Sequence, residues 1–345
     1  MKPFVVQRSQ LGEALWIGAT LALDLRDAEG RITLRKGTVL GPEDADRLVA
    51  VPWDELHLVQ LDGEDSPEAE AGLQLAQVAA GTGCRVARSS AGGHWAIESS
   101  HRGILQVTVD ALQSINLIEG LAVYTLYHGQ VVDGGEVVAR AKIAPFAVPH
   151  AALACAQQFA GQGVISVRPF MAKRVGAVVS ESLGAAAMAR FRQSLQEKVT
   201  WLGSDLLAPA FVAADPKAVV EGLSAMVHQQ SDVILVAGSR PKDPLDPTYV
   251  ALTEMGAVFE RRGVPAHPGS LAWLARLGEV TVVGMPSCGL FSKATVFDLI
   301  FPRLLAGERI SARDLAALGH GGFLTKDMAF RFPPYRPARE RGEIE

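Results

Sequence analysis

Cysteine is scarce in this sequence. Only Cys84, Cys155 and Cys288 are present, and they lie far apart. An odd number of widely spaced cysteines is typical of reduced thiols rather than of a disulfide framework. There is neither a CxxC pair nor a cysteine–histidine cluster with zinc-binding spacing. The sequence therefore argues against a disulfide-stabilised secreted domain and predicts a cytoplasmic protein.

Long apolar runs are also missing. Runs such as 233–236 and 280–283 are far shorter than the roughly 20 residues that span a bilayer. The N-terminal segment lacks the apolar core and the cleavage site of a secretory signal. We therefore expect neither a transmembrane helix nor a membrane partner.

Excess charge of either sign is absent as well. With 33 Lys and Arg against 37 Asp and Glu, the formal net charge is −4. This balance gives no general electrostatic footprint for nucleic acid, so we expect no nucleic-acid partner. It leaves open a local basic pocket for a small anion.

The chain is long and apolar enough to form more than one domain, with 345 residues of which 48% are hydrophobic. Such a length favours two or three cores. The pattern predicts an α+β segment over 1–90, a β-rich module over 91–170 and an α/β domain over 171–325. The remaining segment, 326–345, is rich in proline and charge from Phe330 onward, and we expect it to be a flexible tail.

Strands and helices alternate regularly in the second half of the sequence. The apolar runs predict strands at 175–179, 206–212, 233–236, 271–277 and 280–284. Helical periodicity predicts helices at 184–202, 216–229 and 246–262, and another after Cys288. This alternation predicts the fold class α/β, with a doubly wound, mostly parallel sheet that follows a β-rich N-terminal region with short helices.

Polar loops follow three of the predicted strands, where parallel α/β sheets place their ligands. The first loop is Ser180–Gly184. Its small hydroxyls, together with the free backbone N–H groups of a helix N-terminus, suit a phosphate or a carboxylate. An equally open interpretation is that Ser180 or Ser182 only caps the helix.

The second loop, Ala237–Pro247, carries charges of both signs. Arg240 suits bidentate recognition of phosphate, and Lys242 adds a point charge. Asp243 and Asp246 are the candidates for holding a divalent cation and for catalysis. The alternative is a solvated turn in which the charges pair with one another and one aspartate caps the next helix.

The third loop is Gly284–Gly289, followed by Lys293 just inside the next helix. Its backbone amides and its serine suit an anion. Cys288 near a helix N-terminus can have a lowered pKa. A nucleophilic cysteine needs a base, and neither His267 nor His320 lies at a recognisable spacing.

The order of these loops, over about residues 173–307, resembles the molybdopterin-binding domain of molybdenum cofactor biosynthesis proteins. That family includes the molybdopterin molybdotransferases and gephyrin. Its TGDE-like, GGxSxGxxD, xPGxP and PGNP loops correspond to Ser180–Leu183, Ala237–Asp246, Pro265–Gly269 and Pro286–Gly289. The acidic motif departs from the family pattern, because Ser182 and Leu245 stand where the family has aspartates.

A closer resemblance is to a divergent branch with a PGCA-like last loop, a lysine and a Phe–Asp pair. Cys288, Lys293 and Phe297–Asp298 fit that pattern. The upstream half resembles the β-rich module of stand-alone molybdopterin-binding proteins.

The resemblance implies that the ligand is molybdopterin, or its adenylated or metallated form, with Mg²⁺ as a candidate metal. It also implies a homo-oligomer, with molybdoenzymes or other cofactor-biosynthesis proteins as further partners. The implied cofactor-binding residues are Ser180, Glu181, Ser182, Gly238, Ser239, Arg240, Lys242, Pro268, Gly269, Pro286, Ser287, Cys288 and Lys293.

Three functions are consistent with these residues. The first is binding of molybdopterin or a precursor in cofactor biosynthesis, delivery or sensing, with molybdotransferase activity left open. The second is a metal-dependent pyrophosphatase for nucleotide-like diphosphates, since the domain also resembles that of competence-damage-type pyrophosphatases. Glu181, Asp243 and Asp246 would supply its metal site. The third is a scaffold without a ligand, because fold does not fix function.

Overall fold

The structure is a computed structural model that describes residues 1–88, 94–180, 184–285 and 294–335. The chain forms two compact units. The first unit contains residues 1–100, 106–126 and 134–167, and the second contains 101–105, 127–133 and the chain from residue 168 onward. The domain boundaries drawn from the sequence stay predictions. Across the described ranges, no helix is both long enough and apolar enough to cross a membrane.

The first half of the chain contains mainly short strands. The strands are β1 (Lys2–Gln7), β2 (Thr20–Leu21), β3 (Leu25–Arg26), β4 (Ile32–Leu34), β5 (Glu55–Gln60), β6 (Asp65–Pro67), β7 (Cys84–Arg88), β8 (Trp95–Ser99), β9 (Gly103–Val107), β10 (Leu121–Thr125), β11 (Val131–Val132), β12 (Val137–Ile143), β13 (Ala147–Pro149) and β14 (Ile165–Pro169). The helices are α1 (Ala45–Ala50), α2 (Glu68–Ala79), α3 (Val109–Asn116) and α4 (His150–Ala160).

The strands of the first unit form several small antiparallel sheets rather than one large one. Their strand orders are β1-β5-β2, β10-β12-β8-β7, β13-β6 and β3-β4. Helix α2 starts directly after Pro67 and carries acidic residues in its first turn, where they interact favourably with the helix dipole. Its buried Gly72 lies against Trp95 of β8, so this helix covers the sheet β10-β12-β8-β7.

The second unit contains one larger sheet, with helices on both faces. Its strands are β15 (Arg174–Val179), β16 (Asp205–Leu206), β17 (Ala210–Phe211), β18 (Val233–Ala237), β19 (Val258–Arg262), β20 (Trp273–Leu277) and β21 (Val280–Gly284). Its helices are α5 (Ala185–Trp201), α6 (Pro216–His228), α7 (Pro247–Glu254), α8 (Val296–Leu305) and α9 (Ala312–Ala317).

The strand order of this sheet is β16-β15-β18-β21-β20-β19, and β17 also pairs with β15. Strands β15, β16, β17, β18 and β21 run parallel to one another, whereas β20 is antiparallel to both of its neighbours, β21 and β19. The sheet is therefore mixed and mostly parallel. One core packs α5 and α8 on one face, and a second core packs α6 and α7 on the other. This is the α/β layering that the alternating pattern predicts.

The predicted helix over 246–262 is wrong in its second half. Helix α7 ends at Glu254, and Gly256 takes a left-handed φ of +76°. The N–H groups of Gly256 and Ala257 donate to the carbonyls of Thr253 and Leu252, which is a Schellman motif. The chain then forms strand β19, which pairs with β20 at the edge of the sheet.

The predicted strand over 206–212 is also interrupted. Two short strands, β16 and β17, pair with successive parts of β15 and leave Leu207–Pro209 between them. Near the C-terminus, Phe332 and Tyr335 are buried although they lie within the segment 326–345, which is rich in proline and charge. Residues 336–345 lie outside the described part of the chain.

Candidate functional site

Three parallel strands end side by side at one edge of the larger sheet. Val179 of β15 lies opposite Ala237 of β18, and Val236 of β18 lies opposite Gly284 of β21. The loops that follow these strands therefore begin next to each other. In an open α/β sheet, this carboxyl edge is where ligands bind.

Ser180, at the start of the first loop, joins two strand ends. Its N–H donates to the carbonyl of Ala237 at 3.0 Å, and its buried hydroxyl lies 3.3 Å from the same oxygen. Helix α5 begins after Gly184, and no described side chain caps its first turn. Ser180 therefore links the ends of β15 and β18 by hydrogen bonds and does not cap helix α5. Glu181 and Ser182 lie outside the described residues.

The second loop is closed by Asp246, whose side chain is only 2% exposed. One carboxylate oxygen accepts a hydrogen bond from the N–H of Arg240 at 2.7 Å, and the other accepts from the N–H of Thr248 at 2.9 Å. Asp246 therefore caps α7 and holds the loop in a closed shape at the same time. Of the two interpretations of this carboxylate, the contacts fit the helix cap.

The remaining charges of the second loop face solvent. Arg240, Lys242 and Asp243 are exposed. The carboxylate of Asp243 accepts from the N–H of Leu245 at 2.9 Å, which is a local turn. Gly238 has a φ of +94°, a backbone conformation that favours glycine. The loop thus exposes two cations and one carboxylate while the second carboxylate is buried.

Trp273 at the start of β20 connects the second and third loops. Its indole N–H donates to the hydroxyl of Ser239 at 3.2 Å. A Cβ atom at Gly284 would lie 2.0 Å from the Trp273 ring, so the residue that ends β21 has to be glycine. The indole therefore sets the spacing between the two loops.

The connection between β19 and β20 lies at the same edge, because Trp273 pairs with Gly284. It contains Pro268 and Gly269, which the sequence placed in the site. The carbonyl of Pro268 accepts from the N–H of Val296 at 3.0 Å. Gly269, with a φ of +111°, leaves no room for a Cβ atom beside Val296. This connection therefore contacts the first turn of α8.

The first turn of α8 is fixed by a buried ion pair that the sequence analysis missed. Asp298 and Lys198 are each 1% exposed, and the Lys198 ammonium lies 2.6 Å from one carboxylate oxygen of Asp298. The other oxygen accepts from the N–H and the hydroxyl of Thr295, both at 3.0 Å. The hydroxyl of Tyr335 donates to Asp298 at 3.0 Å.

A signal for Lys198 was present in the sequence. The buried residues Phe191, Leu195 and Val199 of α5 follow a helical period, and Lys198 shares their face. A lysine at a core position of an amphipathic helix indicates a buried partner. The identity of that partner, 100 residues away, could not be deduced from the helix alone.

Two buried tyrosines stay protonated at neutral pH. Burial, together with the charge and the hydrogen bond of Asp298, raises the pKa of Tyr335 well above its usual value. Burial raises the pKa of Tyr249 in α7 to about 12, with nearby Arg262 acting in the opposite direction. Both phenols are therefore neutral groups that contribute through packing or hydrogen bonding.

Several predicted residues cannot be placed, since Pro286, Ser287, Cys288 and Lys293 lie outside the described residues. Within the described ranges, no group of three or more His, Cys, Asp or Glu side chains is arranged to hold a metal ion. The metal and catalytic roles of Asp243 and Asp246 stay predictions. The described part of the edge presents two exposed cations, Arg240 and Lys242, which suit an anionic ligand.

We expect Asp246→Ala to lower the free energy of unfolding by about 1–2 kcal/mol, since α7 loses its cap and the loop loses its closing bond. Asp243→Ala is the matched control, because its exposed carboxylate accepts only within its own turn. Chemical denaturation measures both variants. Equal midpoints for the two would contradict the assigned role of Asp246.

The comparisons with known proteins give only distant similarity. No protein-family model and no curated protein matches the sequence. A solved structure described as a putative molybdenum cofactor biosynthesis protein from Corynebacterium diphtheriae is 15% identical, with a TM-score of 0.29, and the match covers 42% of this chain and 99% of that one. The molybdopterin biosynthesis MoeA protein from Pyrococcus horikosii is 12% identical, with a TM-score of 0.31, and the match covers 73% of this chain and 75% of that one. Similarity at this level does not transfer the activity of those proteins to this chain.

Proposed function

We propose that the protein binds molybdopterin or a molybdenum cofactor precursor at the carboxyl edge of its larger sheet, in cofactor biosynthesis, delivery or sensing. The observation that carries the proposal is the register of three parallel strands. Val179 pairs with Ala237 and Val236 pairs with Gly284, so the loops resembling the pterin-binding motifs begin side by side. Their order along the chain is the order of the motifs in that family.

The second loop is the part of the site that receives the phosphate of the ligand. Arg240 and Lys242 are exposed there, and the Asp246 carboxylate that would repel a phosphate is buried and bonded to two backbone N–H groups. Arginine binds phosphate through two parallel hydrogen bonds, and lysine adds a point charge. A molybdotransferase activity would draw on Asp243, the exposed carboxylate of the loop.

Purification of the full chain after anaerobic expression tests the proposal directly. Oxidation of the bound material is expected to yield a fluorescent pterin at close to one equivalent per chain. Protein that carries no pterin, and that also fails to bind added molybdopterin under anaerobic conditions, would contradict the proposal. Mg²⁺-dependent release of a nucleoside monophosphate from ADP-ribose or FAD would instead favour the pyrophosphatase function.

Removing both exposed cations of the second loop is expected to weaken the binding of molybdopterin by about 10- to 100-fold. The loss corresponds to one or two charge-assisted hydrogen bonds to phosphate. The variant is Arg240→Ala with Lys242→Ala, measured by anaerobic fluorescence titration.

Lys217→Ala with Arg313→Ala is the matched control for that experiment. It removes the same charge from two exposed positions on α6 and α9. If both double variants weaken binding equally, the effect is a long-range electrostatic one and the phosphate site is misassigned. An unchanged affinity in the first variant leads to the same conclusion.

A further inference from the structure

A short segment near the C-terminus, residues 319–324, pairs with the β19–β20 connection at the candidate site. The N–H of His267 donates to the carbonyl of Gly322 at 2.7 Å, and the N–H of Leu324 donates to the carbonyl of His267 at 2.8 Å. His267 directly precedes Pro268, whose carbonyl bonds to the first turn of α8. The two hydrogen bonds therefore fix the residue between Gly322 and Leu324 at the rim of the site.

That residue is Phe323, and its side chain is 77% exposed. The backbone around it is tightly packed. A Cβ atom at Gly322 would lie 2.4 Å from the carbonyl oxygen of Leu318 and 2.6 Å from that of Pro265. On the other side, Leu324 packs against the core beneath the sheet. Phe323 is thus an exposed aromatic ring held on a constrained backbone.

A single exposed apolar side chain is common on protein surfaces and needs no explanation by itself. Two features distinguish Phe323. Its position is fixed by hydrogen bonds to the connection that carries Pro268 and Gly269, and that connection meets the edge where the strands end. An exposed aromatic side chain on a fixed backbone beside a ligand site is available for stacking on a planar ring.

We infer that Phe323 stacks on the planar pyrimidinone ring of the bound pterin. The inference rests on the proposed function, since it assigns a contact for the pterin part of a ligand whose phosphate lies at Arg240 and Lys242. Phosphate and ring are then recognised by different segments. The second loop supplies charge, and residues 319–324 supply an aromatic face.

The ring contact is tested with anaerobic molybdopterin, with neopterin as a probe of the ring without the dithiolene, and with inorganic phosphate. Phe323→Ala is expected to weaken both pterins by about 5- to 100-fold, the range found when an aromatic stacking partner is truncated. Phosphate should bind as it does to the unmodified chain. Phe323→Trp restores a ring and should recover pterin affinity, whereas Phe323→Leu keeps apolar volume without a ring and should not.

Phe330→Ala is the matched control. This phenylalanine is also exposed, at 52%, and its ring packs on Tyr127. Its removal should leave pterin affinity unchanged.

Three results would overturn the inference. In the first, the unmodified chain binds molybdopterin and Phe323→Ala binds it equally well, which leaves the proposed function intact. In the second, Phe323→Leu performs as well as Phe323→Trp, which means that apolar volume alone matters. In the third, Phe323→Ala changes only the oligomeric state, which would assign the ring to a contact between copies. Failure of the unmodified chain to bind any pterin would remove the proposed function together with the inference.

Discussion

Replacing Lys198 by Met is expected to lower the free energy of unfolding by about 3–5 kcal/mol. The Asp298 carboxylate is 1% exposed and lies 2.6 Å from the Lys198 ammonium. Without that cation, a buried negative charge keeps only uncharged partners. Methionine fills much of the same volume, so the loss comes mainly from the unpaired charge rather than from a cavity.

The comparison with a partly exposed ion pair sets the scale of this effect. Lys173 and Asp232 lie 3.1 Å apart, with side chains that are 23% and 38% exposed. Pairs of this kind contribute about 0–1 kcal/mol because water already solvates both charges. Lys173→Met is therefore the control, and we expect it to change the free energy of unfolding by less than about 1 kcal/mol.

A chain with two compact units need not unfold in one step. The stability of the second unit should therefore be measured separately from that of the first. Hydrogen exchange at the amides of α5 and α8 provides this measurement. Adding Asp298→Asn to Lys198→Met removes the buried charge and should recover part of the stability. If Lys198→Met loses no more than the Lys173 control, the ion pair is not the main stabilising contact of α8.

Replacing Gly284 by Ala is expected to cost about 1–3 kcal/mol and to weaken ligand binding as well. The added Cβ atom would lie 2.0 Å from the Trp273 ring, well inside contact distance. The indole cannot move aside freely, because it packs edge-on against Tyr249 and is tilted against Phe259, with ring centroids 5.7 Å and 5.6 Å away. Its displacement would break the hydrogen bond to Ser239 and shift the second loop.

Gly63→Ala is the control for the backbone effect of the substitution. A Cβ atom there would meet no other atom within 4 Å. Thermal unfolding and anaerobic pterin titration measure both variants. Combining Gly284→Ala with Trp273→Phe shrinks the ring and should recover stability but not binding, since the donor to Ser239 is lost. If Gly284→Ala behaves like the control, the close approach of the indole does not set the loop spacing.

The layering of the second unit could be predicted from the sequence because it depends on local periodicity. Apolar runs such as 233–236 are strands, and their polar continuations are the loops at the sheet edge. The change from helix to strand within residues 246–262 could not be predicted in the same way. Its apolar residues Leu252, Met255 and Val258 keep a helical spacing, whereas the helix ends earlier, where Gly256 takes the left-handed conformation of a Schellman motif.

The details of the candidate site depend on contacts between distant positions. Asp246 and its loop could be identified in the sequence, but the two backbone N–H groups that donate to its carboxylate could not. The partner of Lys198 and the need for glycine at position 284 arise from tertiary packing. The hydrophobic periodicity of a helix or strand indicates which of its faces is buried, but not which residues pack against that face.

The ion pair of Lys198 and Asp298, with Tyr335 on the same carboxylate, joins positions that are far apart along the chain. Loss of Asp298 would take the acceptor from a buried ammonium and a buried phenol, and loss of Lys198 would leave a buried carboxylate without its counter-charge. We therefore expect substitutions of Lys198 and Asp298 to be linked in related sequences. A relative with an apolar residue in place of the lysine should also have lost the acid, and with it the reason to keep a tyrosine so near the end of the chain.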